Sequence, residues 1–306
     1  MKHLNLPLLL VLLAPLAPVS SARAAIDVNV LEGSSWYFHV DFQNMRETQA
    51  GKGMGAWIEK EVFDEIEEEL EIDLRGKLRR MTAFGEKEDD AVLDLEGRFS
   101  GADLKKLRSL LTDKSATKKH QGRTYYQADK EAFETSNGKI QIDTDSEWYT
   151  TFAFENRVVM TQSEKRMQQI LSSGGKLPIK GGGKAIFVLS TEKRLFQAGA
   201  DAEQLRKLDK DDDWDSNILK NTKKVGVMIA DQDGKLAIDM RLQAKERSMA
   251  ESIRNIVLGF IGLSAFNSDL DPALGELLRS VDVSLDGNVL RMRLAASPEA
   301  FLKALD

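Results

Sequence analysis

The chain of 306 residues contains no cysteine. Disulfides and cysteine-ligated zinc sites are therefore excluded, and the fold must be stabilised by burial alone. Histidine is scarce as well, with three in the whole chain, and no HExxH motif occurs. A zinc site built from histidine and cysteine is thus excluded, and the sequence predicts no cofactor.

Aromatic residues are few, at 7%, whereas charged residues make up 30% of the chain. This balance is typical of a well-solvated globular protein, and the patterned apolar content is too high for a disordered one. The length suggests about two domains.

Long apolar runs are missing beyond the N-terminus. Residues 4–19 form an apolar stretch interrupted by three prolines, and Ala22-Arg23-Ala24 follows as a cleavage site. This pattern predicts a signal peptide over residues 1–24, with cleavage near Ala24/Ala25, because the stretch is short of the ~20 residues that span a bilayer. Together with the lack of cysteine, this signal leads us to expect a bacterial protein that is periplasmic or secreted, with no integral membrane segment in the mature chain.

Net positive charge is also lacking. Removal of Lys2 and Arg23 with the signal peptide leaves 41 basic and 49 acidic residues, a net charge of −8. An acidic protein of this kind is a poor nonspecific binder of nucleic acid or of anionic lipid. The predicted partner is therefore another protein or a small-molecule ligand, and not nucleic acid.

One pattern recurs along the chain: strand, turn, strand and then a helix. Asp233-Gly234 and Asp286-Gly287 are typical hairpin turns, and Ser100, Ser163 and Ser297 stand where helix N-caps belong. The four copies lie at Leu78–Leu111, Trp148–Leu171, from Val225 onward, and Val281–Leu305. Their recurrence predicts an internal duplication.

The predicted fold class is α+β, with two similar lobes of antiparallel hairpins and helices packed mainly on one face. The expected N-terminal lobe covers residues 25–172 and the C-terminal lobe residues 185–306. The glycine-rich segment 173–184 is the predicted linker.

Two segments are interpreted as loops. Asn44–Gly55 carries three glycines at alternate positions, without the lysine and hydroxyl residue of a phosphate-binding loop. Asp113–Gly122 is polar and without periodicity. Both are expected to be irregular connections.

Candidate chemistry is sparse. His39 and Asp41 share one face of a predicted strand, as in a general-base pair, although a hydrogen-bonded structural histidine is the simpler interpretation. Ser190-Thr-Glu-Lys193 and Ser115-Ala-Thr-Lys118 match SxxK without companion motifs, so Ser190 is interpreted as a helix N-cap. Asp209–Asp215 alternates like a calcium loop but lacks the glycine and glutamate of an EF-hand, which leaves a loose calcium site as the alternative to a solvated acidic turn. No catalytic, cofactor-binding or metal-binding residue is assigned.

The most apolar helix is predicted at Lys245–Phe266. Met249, Ile253, Ile256, Val257 and Phe260 follow helical spacing, which predicts a packed core face with Phe260 in it. The alternative is a lining for an apolar ligand.

These features predict a non-catalytic periplasmic protein that binds a protein or a ligand through an open sheet face or a groove. A carrier of an apolar ligand and a hydrolase with a carboxylate-based site are the alternatives.

Overall fold

A computed structural model describes residues 34–58, 63–64, 67, 72–86, 90–112, 115–128, 147–177, 185–192, 221–264 and 272–303. This part of the chain contains twelve strands, with antiparallel pairing within each of two compact units, and seven helices. The N-terminal unit comprises Val28–Glu47 and Gly55–Gly183, and the C-terminal unit comprises Thr48–Met54 and Lys184–Asp306. The predicted α+β class is confirmed.

The N-terminal unit contains seven strands. Their bounds are β1 Trp36–Asp41, β2 Leu78–Gly85, β3 Val92–Gly97, β4 Ser115–His120, β5 Arg123–Ala128, β6 Trp148–Thr151 and β7 Arg157–Thr161. The order across the sheet is β1-β2-β3-β7-β6-β5-β4. The helices with bounds in or partly in this unit are α1 Phe42–Glu47, α2 Gln49–Ile58, α3 Gly101–Thr112 and α4 Glu164–Ser172.

Helix α4 begins at the cap predicted from the sequence. The Ser163 hydroxyl accepts a hydrogen bond from the backbone N–H of Arg166, which satisfies one of the free donors of the first turn. Met167 and Leu171 on its inner face pack with Tyr125 and Tyr149 of the sheet. The cap and the apolar stripe together fix this helix on the β5–β6 part of the sheet.

Helices lie against both faces of this unit's sheet. Tyr125 packs against α4, whereas its neighbour Tyr126 contacts Phe152, whose ring is overlaid by Arg108 of α3. Adjacent strand residues point to opposite faces, so α3 and α4 are on opposite sides. The prediction of helices mainly on one face is wrong for this unit.

The C-terminal unit contains five strands. Their bounds are β8 Ala185–Glu192, β9 Thr222–Gln232, β10 Lys235–Ala244, β11 Asp282–Asp286 and β12 Val289–Ala296. The order is β8-β9-β10-β12-β11. The helices are α5 Arg247–Ser264, α6 Pro272–Arg279 and α7 Pro298–Lys303.

The β9–β10 hairpin follows from its turn residues. Asp233 and Gly234 have φ angles of 54° and 79°, as a type I′ turn requires. Strict alternation then buries one face of β10, with Leu236, Ile238, Met240 and Leu242 all buried. Asp239 and Arg241 point to the opposite face, which therefore carries the polar groups of this strand.

The two units share a strand order. In each unit a single strand pairs with the first strand of a hairpin. The second strand of that hairpin pairs with the last strand of a second hairpin. The order β1-β2-β3-β7-β6 therefore corresponds to β8-β9-β10-β12-β11. The N-terminal unit has β5 and β4 in addition. Each unit's second hairpin leads into a serine-capped helix, at Ser163 and at Ser297.

Both predicted loops are wrong. Asn44–Gly55 lies mostly within α1 and α2, and glycine is tolerated there because Gly53 lies against Pro298, with no room for a Cβ. Most of Asp113–Gly122 is the edge strand β4. An edge strand is solvated, so its polar residues give no apolar alternation from which to recognise it.

Two smaller predictions also fail. Ser190 lies inside β8 and not at a helix start. Asp286 pairs with Val289 at the end of β11, so Gly287 and Asn288 form the turn. The predicted signal peptide, the Asp209–Asp215 segment and most of the predicted linker lie outside the described residues.

Helix α5 buries a narrower stripe than predicted. Ala250, Ile253 and Ile261 are buried, whereas Phe260 is 36% exposed and Leu263 73% exposed. The prediction that Phe260 is packed core is wrong. Within the described residues, no helix combines the length and apolarity that crossing a membrane would require.

Candidate functional site

The polar face of the C-terminal sheet gathers three arginines around one aspartate. Asp239 of β10 lies opposite Arg293 of β12, and Arg241 lies opposite Arg291. All four residues point to the face away from Leu236 and Met240 because they alternate with those buried residues. The strands thus bring together side chains that are about fifty positions apart in sequence.

Arg291 makes the strongest contact with Asp239. Its Nε lies 3.1 Å from Oδ1 and 3.0 Å from Oδ2, and its Nη2 donates to Oδ2. The Nε atoms of Arg241 and Arg293 lie 3.5 Å and 3.6 Å from the same carboxylate. One carboxylate, buried in the sheet, is therefore shared by three guanidinium groups.

The arrangement leaves a surplus of positive charge. Burial, followed by repulsion from Arg291 and Arg293, lowers the pKa of Arg241 despite the attraction of Asp239. Nε of Arg293 is buried and makes no hydrogen bond, although the side chain as a whole stays 34% exposed. The bond from Arg241 to Asp239 is made by Nε, at 3.5 Å, so it does not use the terminal nitrogens of that guanidinium. The arginine cluster (Arg241, Arg291, Arg293) therefore retains donors for an anion.

Among the described residues, the ion pairs of the arginine cluster are made with Asp239. Asp282 of β11 lies opposite Arg293 in the register but is exposed, and the described ion pairs of Arg293 include none with it. Exposed charges are screened by water and salt. The surplus on the partly buried guanidiniums therefore persists.

The N-terminal unit contains a matching aspartate and arginine. Arg157 of β7 donates from Nε and Nη2 to the two carboxylate oxygens of Asp94 on β3, at 2.9 Å each. Arg157 lies six positions before the capping Ser163, as Arg291 lies six before Ser297. Asp94 and Asp239 also occupy matching register positions, opposite Val159 and Arg293 respectively.

The charge around Asp94 is balanced differently. Glu96, Arg80 and Asp41 follow Arg157 across the paired strands, so that the row alternates in sign. Arg80 bonds to Asp41 at 3.0 Å and to Glu96 at 3.3 Å. Burial raises the pKa of Asp94 in spite of its bonds to Arg157. Three carboxylates against two arginines leave no positive surplus on this face.

His39 is a hydrogen-bonded structural residue. Its Nδ1 lies 2.8 Å from the Thr82 hydroxyl on the adjacent strand. Asp41 is engaged elsewhere, accepting from Arg80 and from the backbone N–H of Asn44, where it caps α1. Burial lowers the pKa of His39, and the nearby charge of Asp41 offsets this only in part. The pair therefore does not form a general-base arrangement.

Within the described residues, the remaining candidates form no further site. Ser190 is buried in β8, opposite Gly226, while Lys193 of its SxxK motif lies outside the described residues. His120 ends β4 and bonds to Ser172 at 2.8 Å. Among the described residues, no three histidine or acidic side chains are grouped as metal ligands.

Sequence reasoning missed the arginine cluster. Its signal is the alternation of arginine with apolar residues in Arg291-Met292-Arg293, on a strand that pairs with Asp239-Met240-Arg241. Alternation alone indicates a solvated strand face. The convergence on one carboxylate depends on the register between strands that are distant in sequence.

No protein-family model and no curated protein matches the chain. Among solved structures, the chain is similar to crystal form III of TP0453, with a TM-score of 0.46 and 12% identity over 92% of this chain and 99% of that one. Crystal form I of TP0453 gives a TM-score of 0.44 and 13% identity over 93% and 98% of the two chains. Both TM-scores are below 0.5.

Proposed function

We propose that the protein is a non-catalytic binding protein that holds an anionic ligand at the arginine cluster. The observation that carries this proposal is the convergence of three guanidinium groups on the single carboxylate of Asp239. Asp239 holds the arginines together without neutralising them. An anion is the ligand class that satisfies the donors left over.

Partial burial of the arginine cluster strengthens the attraction of its surplus positive charge for an anion. A charge interaction is several times stronger near a protein surface of reduced dielectric constant than in bulk water. Arg293 combines a buried Nε with a partly exposed side chain, so a ligand is able to reach it. Since the chain as a whole is acidic, the cluster is a local site and not part of a general basic surface.

The test is direct binding of small anions by calorimetry, with inorganic phosphate, sulfate, acetate and citrate as probes. Arg241→Met and Arg293→Met each keep the aliphatic stem and remove the charge, and each should weaken binding by about tenfold or more. Arg247→Met is the matched control, because Arg247 is 72% exposed and pairs with Glu251, away from the arginine cluster in the sequence. Binding of none of the four anions, or equal loss with the control, would refute the proposal.

We also propose that the two units descend from an internal duplication. The shared strand order, the capping serines and the matched Asp94–Arg157 and Asp239–Arg291 pairs support it. Superposition of β1-β2-β3-β7-β6 on β8-β9-β10-β12-β11 in an experimental structure is the test. If Asp94 and Asp239 did not superpose, this would argue against a common origin.

Export belongs to the same proposal. The apolar stretch and Ala22-Arg23-Ala24 support cleavage near Ala24/Ala25 and a periplasmic or secreted location. N-terminal sequencing of the protein from its native host should give Ala25 or a residue next to it. Cell-associated protein that still begins at Met1 would contradict this.

A further inference from the structure

The polar face of the C-terminal sheet has a gap in one of its cross-strand rows. Ser190 lies opposite Gly226, Gly226 opposite Arg241, and Arg241 opposite Arg291. All of these positions except Gly226 carry a side chain on this face. The row therefore has a hydroxyl on one side of Gly226 and guanidinium groups on the other.

A single Cβ fits at Gly226 in ordinary van der Waals contact with its neighbours. A Cβ placed there would meet nothing closer than 3.8 Å, the nearest atoms being the Leu189 carbonyl oxygen and the Ser190 hydroxyl. The glycine is half-exposed, whereas Ser190 is buried. Glycine in the middle of a strand costs stability and often marks a close approach by a ligand. No positive φ angle explains this glycine.

We propose that an oxyanion group, a phosphate or a carboxylate, is bound over Gly226, between the Ser190 hydroxyl and the Arg241 guanidinium. This inference rests on the proposed function, and it assigns the position and the chemical class of the ligand. Ser190 donates its hydroxyl proton to one oxygen of the ligand. The terminal nitrogens of Arg241 donate to another, because a guanidinium suits the paired oxygens of either group.

Asp239 acts here as a positioning residue. By accepting from Arg291 and drawing in Arg241 and Arg293, it holds the guanidiniums in place before a ligand arrives. Preorganised donors bind more tightly because less side-chain freedom is lost on binding. The corresponding row in the N-terminal unit contains Glu96 and Arg80 in the places of Arg241 and Gly226, so it offers neither gap nor surplus charge.

The experiment compares inorganic phosphate and acetate as calorimetric probes of the whole protein. Gly226→Val fills the gap and Ser190→Ala removes the hydroxyl. Each should weaken binding of the preferred probe by about tenfold. Ala295→Val is the control, since Ala295 is exposed on the same face but in another row. Preference for phosphate identifies a phosphate ligand, and preference for acetate a carboxylate ligand.

The outcomes separate the two proposals. If Arg241→Met and Arg293→Met abolish binding while Gly226→Val and Ser190→Ala do not, the assigned position is wrong and the proposed function stands. If wild-type protein binds neither probe, this inference is wrong, while sulfate or citrate binding still tests the proposed function. A circular-dichroism melt of each variant identifies one that fails to fold. In that case Gly226→Ala, which adds one carbon where space is present, replaces Gly226→Val and should weaken binding to a smaller extent.

Discussion

Arg157 and Asp94 face each other diagonally across β7 and β3, joined by two parallel hydrogen bonds of 2.9 Å. The Asp94 side chain is only 12% exposed and the Arg157 side chain 22%. Arg157 also donates to the Gly175 carbonyl and stacks near Phe154. The arginine thus ties the sheet to the segment that follows α4, besides compensating a buried charge.

Arg157→Met should be strongly destabilising for this reason. Removing one partner of a buried pair leaves the other charge uncompensated, at a cost of about 3–5 kcal/mol. Asp94→Asn in the same background should recover part of the loss, because a neutral amide then replaces the carboxylate that has lost its partner. Urea unfolding of the single and double variants measures both effects. Equal stability of Arg157→Met and wild type would show that the bridge contributes nothing.

The burial of His39 predicts a pH dependence of stability. Its pKa is lowered in the folded state, while the unfolded chain titrates near about 6.5. The unfolded state therefore binds the proton first as the pH falls, and stability is lost from about pH 6.5 down to the folded pKa. His39→Gln should flatten this part of the curve. His120→Gln, which alters the other described histidine, is the control, and a similar flattening there would contradict the assignment.

Helix α5 predicts unequal effects for two adjacent residues. Ile261 is 1% exposed, so Ile261→Ala should cost about 2–4 kcal/mol through lost burial and the cavity left behind. Phe260 is 36% exposed, and Phe260→Ala should therefore cost clearly less than the ~3–5 kcal/mol that is typical of a buried phenylalanine. Thermal unfolding of the two variants measures the difference. A larger loss for Phe260→Ala would restore the interpretation of Phe260 as core.

Local signals predicted one hairpin turn and two helix starts, although the Asp286-Gly287 turn and the Ser190 cap are wrong. The Ser163 cap, the Ser297 cap with Pro298, and the Asp233-Gly234 turn depend on residues that are adjacent in sequence. Phe260 shows where this reasoning ends. Apolar residues at helical spacing indicate an inner face, but how wide that face is depends on the elements packed against it.

The candidate site depended even more on tertiary structure. Arg291 and Arg293 look like ordinary solvated positions until β12 is paired with β10. Likewise, the gap at Gly226 exists only because β8 and β10 flank β9 in one register. Neither relationship is encoded in spacing along the chain, so only the structure could reveal them.

The two capping serines predict matched losses in the two units. Ser163 accepts from the Arg166 N–H at 3.3 Å and Ser297 from the Ala300 N–H at 3.2 Å. Replacement of either serine by alanine should cost about 1 kcal/mol, and replacement by glycine only a few tenths. Chemical denaturation of the four variants measures this. A loss confined to one unit would show that the other cap is not stabilising its helix.

Glycine-to-alanine changes in α2 should have opposite signs at two positions of the same helix. Alanine is normally favoured over glycine inside a helix by about 1 kcal/mol, and Gly55→Ala should follow this rule because a Cβ there meets only the Met45 side chain, at 3.7 Å. At Gly53 a Cβ would lie 2.5 Å from Cβ of Pro298. Gly53→Ala must therefore displace the start of α7, and overpacking of this kind costs about 1–3 kcal/mol.

The comparison is internally controlled, since both variants change the helix propensity equally. Urea midpoints should rise for Gly55→Ala and fall for Gly53→Ala. Combining Gly53→Ala with Pro298→Gly should restore part of the loss, because the Pro298 Cβ that lies 2.5 Å from the added carbon is then removed. If Gly53→Ala instead stabilised the protein as much as Gly55→Ala, the close approach of α2 to Pro298 would be wrong. Gly53 would then have no packing role in α2.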